Sequence, residues 1–142
     1  MSAADSGSAP SVDASGCVVL DRQQCLDYLS AGGLGRVAVN VGALPAILPV
    51  QFALDDEQVV FSVGVGTVLD RATRDAVVAF ESDGVELDGR CQWSVAVTGI
   101  ARHRAEDEQL GRSPVVTPGW AHLEAPAIVA ISMEYVSGRR TI

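Results

Sequence analysis

GRVAVNVGALPAILPVQFALDDEQVVFSVG, Gly35 to Gly64, is the stretch that decides the fold. In GRVAVNV, Val37, Val39 and Val41 point one way and Ala38 and Asn40 the other, the period of two expected of a strand with one buried face. Gly42 supplies a turn. PAILPVQFAL, Pro45 to Leu54, reads as a second strand that ends at Asp55-Asp56, where short carboxylates favour a turn. QVVFSVG then restarts as a third strand. Pro49 removes a ladder donor from the second run, so that strand is expected to lie at an edge, carry a bulge, or face a ligand there.

Toward the C-terminus, Gly64-Val65-Gly66 breaks the third strand, and TVLDRATRD places Val68, Leu69 and Ala72 at helical spacing. AVVAFESD is strand four, VELDGR a loop, and CQWSVAVTGIARHR a long strand five with Trp93, Val95 and Val97 on one side. AEDEQLGR suggests a further helical turn or two, its Glu106–Glu108 stretch a solvated face. SPVVTPGWAHLEAP is a loop. AIVAISMEYV is a sixth strand, and SGRRTI the end. Toward the N-terminus, Asp21 can cap a short helix whose Cys25, Leu26 and Leu29 share a face before Gly32 and Gly33 stop it. Residues 1–16 are Ser, Ala, Gly and Asp with almost nothing to bury, so a disordered arm is expected there and a single domain over 17–142.

Six strands, short hairpins and small helices make a mainly β chain. An antiparallel sheet of this kind avoids exposed edges by closing into a small barrel. Helices and strands do not alternate as a parallel sheet requires, which excludes a dinucleotide-binding doubly wound fold.

The composition narrows the chemistry. With 142 residues and 48% hydrophobic content the chain can bury one core. A net charge of −8, with the basic residues scattered, argues against nucleic acid and anionic membranes. All ten basic residues are Arg, which removes Schiff-base lysine chemistry and the P-loop. Cys17, Cys25 and Cys91 lack CxxC spacing and His103 and His122 lack metal-ligand partners, so neither a disulfide framework nor a metal site is expected. No apolar run reaches membrane-spanning length and no signal-peptide pattern opens the chain, so a cytoplasmic location is expected. No nucleophile and base stand together, and no catalytic side chain is assigned.

The succession GRVAV (Gly35 to Val39), ALPAILPVQF, VVFSVGVGT, AVVAFESD, QWSVAVTGIA and MEYVSGRR resembles the pyridoxamine 5′-phosphate oxidase-like, flavin-binding split-barrel proteins over about residues 17–142. The resemblance is to the branch related to nitroimidazole-resistance proteins and the actinobacterial flavin or deazaflavin oxidoreductases. It implies a six-stranded antiparallel split β-barrel that works as a homodimer, with two flavin sites at the subunit interface and the ring lying against the second strand. On that resemblance the cofactor is FMN, with the deazaflavin coenzyme as alternative. The candidate cofactor-binding residues are Ile47, Leu48, Pro49, Val50 and Gln51 toward the ring, Ser62, Gly64, Gly66, Thr67 and Arg71 toward the phosphate, and Trp93 closing the pocket.

This chain departs from the family where it matters for the phosphate, since Val68 and Val50 stand where basic residues are common. A charge-assisted hydrogen bond is worth roughly 1.5–3 kcal/mol. What remains is the Gly64–Thr67 turn with its N–H groups and hydroxyl, plus Arg71 and Arg74. The functions implied are an FMN-dependent oxidoreductase of unknown small-molecule substrate, a deazaflavin-dependent reductase, or a barrel that has lost flavin and serves as a binding scaffold. Oxidation of pyridoxamine 5′-phosphate itself would want further basic residues. Other residues stay open between two roles. Trp93 is core, interface or stacking partner. Trp120 beside His122 covers a pocket or staples a loop, and Arg139 and Arg140 contact a cofactor acid or are solvated tail charges.

Overall fold

The computed structural model describes residues 10–104 and 127–142. Its elements are β1 (Val18–Val19), α1 (Arg22–Leu29), β2 (Gly33–Val41), β3 (Leu44–Asp55), β4 (Gln58–Val63), α2 (Val68–Ala72), β5 (Ala76–Val85), β6 (Gln92–His103), β7 (Ala127–Ser132) and β8 (Tyr135–Arg140). Six of these strands close a mainly β barrel, running β6-β5-β2-β3-β4-β7 and back to β6, with every pairing antiparallel. β8, with the two-residue β1 beyond it, adds to the N-terminal half of β6 outside the ring. This is the closed antiparallel barrel that the strand pattern implies, in the split-barrel form that the resemblance implies.

The period-two residues fill the inside. Val37, Val39, Val50, Phe52, Val59, Phe61, Val78, Phe80, Val95 and Val97 are all at most 3% exposed and belong to one cluster, which Val129 and Ile131 complete. α1 closes one end. Asp21 caps it, accepting from the Gln24 N–H at 2.8 Å while the Gln24 side chain accepts from the Asp21 N–H at 2.9 Å. Cys25, Leu26 and Leu29 face the core as their spacing predicts.

The run AIVAISMEYV is not the single strand its pattern suggested. It breaks at Met133-Glu134 into β7, which pairs with β4 and the C-terminal half of β6, and β8, which crosses to the other half of β6. The apolar–polar order of the sequence, Ile131-Ser132-Met133-Glu134-Tyr135, runs on through the corner although Glu134 and Tyr135 are both exposed, so the sequence pattern carries no mark of it. The mark is Gly99 in β6: a Cβ there would lie 1.6 Å from the Ser132 carbonyl oxygen, and only a glycine lets the strand pass so close.

Two smaller differences stand at the termini of elements. Of the stretch expected as an unstructured arm, residues 10–16 form a turn in which Asp13 accepts from the Ser15 and Cys17 N–H groups and Val12 bridges Val18; residues 1–9 lie outside the described part. β5 runs on through Gly84-Val85, into the segment read as a loop.

Candidate functional site

β3 and β4 separate before they end. Their register covers only Phe52↔Phe61 to Asp55↔Gln58, so residues 44–51 of β3 pair with β2 and, among the described residues, with no strand on the other side. Pro45 and Pro49 lie on this half-edge, where a missing N–H costs nothing. Of the edge, bulge or ligand contact expected at Pro49, the structure shows the edge.

The candidate ring residues divide by parity. Leu48 and Val50 pair with Val37 and Gly35 and turn to the barrel interior, Val50 being 2% exposed. Val50 thus offers a ligand only its backbone, and a basic side chain at that position of this barrel would enter the core. Ile47, Pro49 and Gln51 turn outward. Ile47 is 71% exposed and lies in register beside Ala38, which in turn pairs with Ala79 of β5. Together with Ala96 these residues line an apolar depression of about 420 Å³ whose rim carries Arg36, Glu81 and Asp83. Arg36 lies 2.9 Å from Glu81 and 3.6 Å from Asp83. Burial and the neighbouring Asp83 push the Glu81 carboxyl up, against the pull of Arg36.

The candidate phosphate residues form a second, compact unit. Ser62 is nearly buried in β4 opposite Ile128, and Gly64 starts the loop into α2. Gly66 takes φ +86°, a conformation that favours glycine. Thr67 is the N-cap of α2, its hydroxyl donating to the Gly64 carbonyl at 2.7 Å and accepting from the Asp70 N–H at 3.2 Å. Arg71 donates to the Gly66 carbonyl at 2.7 Å.

Asp70 was not singled out by sequence reasoning and dominates this unit. Only 2% exposed, it accepts from the Gly66 N–H at 2.7 Å and from Arg74 at 3.1 Å, and its Oδ1 lies 3.2 Å from His103 Nε2. The Gly66 N–H, helped by Arg74, holds its carboxyl below the ordinary value although burial opposes this. One donor expected to meet a phosphate is therefore already engaged by an internal carboxylate. The signal was present, since an acidic residue three positions after a Thr N-cap is a capping pattern.

Trp93 is not brought to the ring residues within one chain. It lies on the inner side of β6, stacked on Tyr28 of α1 with ring centroids 4.8 Å apart and an interplanar angle of 22°. Burial and the Glu86 carboxylate, 2.5 Å from its hydroxyl, push the Tyr28 phenol up. Trp120, His122 and Glu106–Glu108 lie outside the described residues. Among the described residues no cluster of three or more His, Cys, Asp or Glu could hold a metal, and no helix is long and apolar enough to cross a membrane.

A family model described as pyridoxamine 5′-phosphate oxidase matches residues 21–140. The chain is 35% identical over 130 residues to an uncharacterised protein of Mycobacterium tuberculosis, Rv0080, covering 88% of this chain and 86% of the other. Among solved structures it is similar to an FAD-binding protein from Mycobacterium smegmatis, at TM-score 0.69 and 25% identity over 89% of this chain and 99% of that one. It shares its fold with an FAD-binding protein from Mesorhizobium loti, at TM-score 0.75 and 22% identity over the same shares of the two chains.

Proposed function

The chain belongs to the pyridoxamine 5′-phosphate oxidase family, and from that premise we propose that it is a flavin-binding protein: an FMN-dependent oxidoreductase that acts on a small-molecule substrate as a homodimer. The outer face of β2, β3, β5 and β6 carries this reading. An apolar depression of about 420 Å³ there adjoins a strand half-edge, so one surface offers both apolar contact for a planar ring and backbone groups for its polar rim.

The residues suit a flavin unequally at its two ends. Ile47, Ala38, Ala79 and Ala96 give the ring a flat surface without bulky side chains, and Pro49 and Gln51 stand beside it. At the phosphate end Arg71 has spent one N–H of its fork on Gly66, and with Thr67 it supplies the polar contacts. A bound flavin supplies electron or hydride transfer, so the chain needs no nucleophile of its own. Its residues bind and orient the ring, and a second copy over the outer face excludes water. The sparse phosphate grip predicts loose binding.

One observation favours a second reading, a barrel that binds no flavin: Asp70 brings a negative charge and takes the Gly66 N–H within the loop expected to hold the phosphate. The visible spectrum of the isolated protein, with thermal shifts on adding FMN, FAD or the deazaflavin coenzyme, decides between them, because a ligand bound only by the native state raises its stability. Flavin absorbance or stabilisation is expected; a colourless protein unmoved by all three leaves the flavin-free barrel. Val68, the 43% exposed first residue of α2, gives a sharper test. Val68→Arg is expected to tighten FMN about tenfold by supplying a charge-assisted donor, and unchanged affinity in a titration would place the phosphate elsewhere.

A further inference from the structure

Two carboxylates share one guanidinium on the apolar outer face of the barrel. Glu81 of β5 lies in register between Arg36 of β2 and Ala96 of β6, with Ala79 and Asp83 on either side of it along the same face of its strand. Arg36 is 2.9 Å from Glu81 and 3.6 Å from Asp83, a single positive charge for a pair of negative ones. These side chains stand at the rim of the depression of about 420 Å³ that Ala38, Ile47, Ala79 and Ala96 line. We infer, resting on the homodimer reading above, that closing a second copy over this face takes up protons at the Glu81–Asp83 pair, so that acid strengthens the dimer.

Other charges on the face do not restore the balance. Beside Arg36, β3 presents Ile47, Pro49 and Gln51, and on the other side β6 presents Ser94, Ala96 and Thr98, none of them charged. Arg139 of β8 lies beyond Ser94 in the row of Asp83, but Asp13 stands 3.4 Å from it. Tyr135 of β8, opposite Thr98, adds a hydroxyl. Toward the corner before β8, Arg22 is 3.5 Å from Glu57, and Glu134 brings a further carboxylate. At the other end of the face Arg102 lies 3.8 Å from Asp75. Among the described residues acids therefore outnumber guanidinium groups here however the partners are exchanged, and two copies laid face to face add one excess to the other.

Covering the face raises the cost of that excess. The Glu81 and Asp83 side chains keep 36% and 51% of their surface in water, and a second copy would remove much of that hydration. Ala79 and Ala96 offer no side-chain donor in its place. A carboxylate that loses water without gaining a partner is neutralised by taking a proton. Burial and Asp83 already push the Glu81 carboxyl up in the single chain, against the pull of Arg36. With one carboxyl protonated, Arg36 and the remaining carboxylate form a balanced pair, which is cheaper to bury than three charges.

Sedimentation velocity of the full-length protein from about pH 8 to about pH 5.5, at constant ionic strength, tests this above the ordinary carboxylate range. The dimerisation constant is expected to rise about ten- to a hundredfold as pH falls, one carboxyl in each copy contributing up to about tenfold. Glu81→Gln leaves Arg36 and Asp83 balanced, so it is expected to tighten the dimer about tenfold at the alkaline end and to flatten the pH profile. Asp83→Asn balances the pair from the other side and serves if the Gln variant does not fold. Asp27→Asn removes an exposed carboxylate from α1, whose buried side faces the core, and leaves the slope unchanged. A dimer indifferent to pH, or a slope that survives both the Glu81 and Asp83 variants, overturns the proton link and leaves the homodimer standing. A protein monomeric at micromolar concentration throughout the range overturns the homodimer and the proton link with it.

Discussion

The two faces of the β2–β3–β5–β6 sheet use the same strands for opposite ends. Inside, Val37, Val39, Phe52, Phe80, Val95 and Val97 are bulky and buried. Outside, in register behind them, stand a half-buried Ala38 and the exposed Ile47, Ala79 and Ala96, all apolar, where a solitary barrel would carry mostly polar side chains. Bulk on the inner face holds the barrel together. Small apolar residues on the outer face cost little in water as single side chains, yet together they leave a flat surface that gains by being covered. Folding and association are thereby assigned to alternate residues of one strand.

The comparison can be broken first from the inside. Phe61, fully buried in β4, is expected to cost about 3–5 kcal/mol on substitution by alanine, read as a shift of the urea midpoint at constant slope. A much smaller loss would mean the interior is loosely packed.

Asp70→Asn probes the polar unit that belongs to neither face, and is expected to lower stability by about 1–3 kcal/mol at pH 7. The sign with pH follows from the direction of its shift. A carboxyl held below its ordinary value of 3.8 contributes fully above that value, and the contribution disappears as pH falls through the lower folded value. Wild type and variant stability should therefore converge in acid, and a constant gap down to pH 2 would remove the ionic explanation.

On the outer face, Ala79→Glu should leave the chemical midpoint of the monomer within about 0.5 kcal/mol. The same substitution should weaken self-association tenfold or more, about 1.4 kcal/mol, by sedimentation velocity. A wild-type protein that is monomeric at micromolar concentration would leave the apolar exterior without its proposed cover. The smallest effect concerns the β3–β4 turn, where Asp56 and Glu57 both adopt positive φ, 51° and 56°. Glu57→Gly is expected to stabilise by about 1 kcal/mol, since the exposed Arg22–Glu57 pair it removes is worth less than the backbone strain it relieves.

Legibility followed the physics of each part. The strands over 35–64, the Asp21-capped helix and an irregularity at Pro49 were readable because periodicity, capping and a missing donor are local. The break within AIVAISMEYV was not, because the apolar–polar order of the sequence runs on across Met133-Glu134 and the corner exists only where Ser132 meets Gly99. Of the candidate site, the loop Gly64–Thr67 was readable as a turn. The spacing of Thr67 and Asp70 carried a capping signal, but that the Asp70 carboxylate is buried was not readable, since a buried carboxylate and a solvated one look alike in a helix of five residues.

The order of residues alone determined a six-stranded antiparallel barrel, its inward-facing side chains and the absence of lysine chemistry, since these depend on period, turn residues and composition. Tertiary structure alone decided that Val50 faces the core and that Trp93 lies behind the sheet against Tyr28. Each of those depends on which distant strand lies alongside, and a one-residue change of register would reverse it.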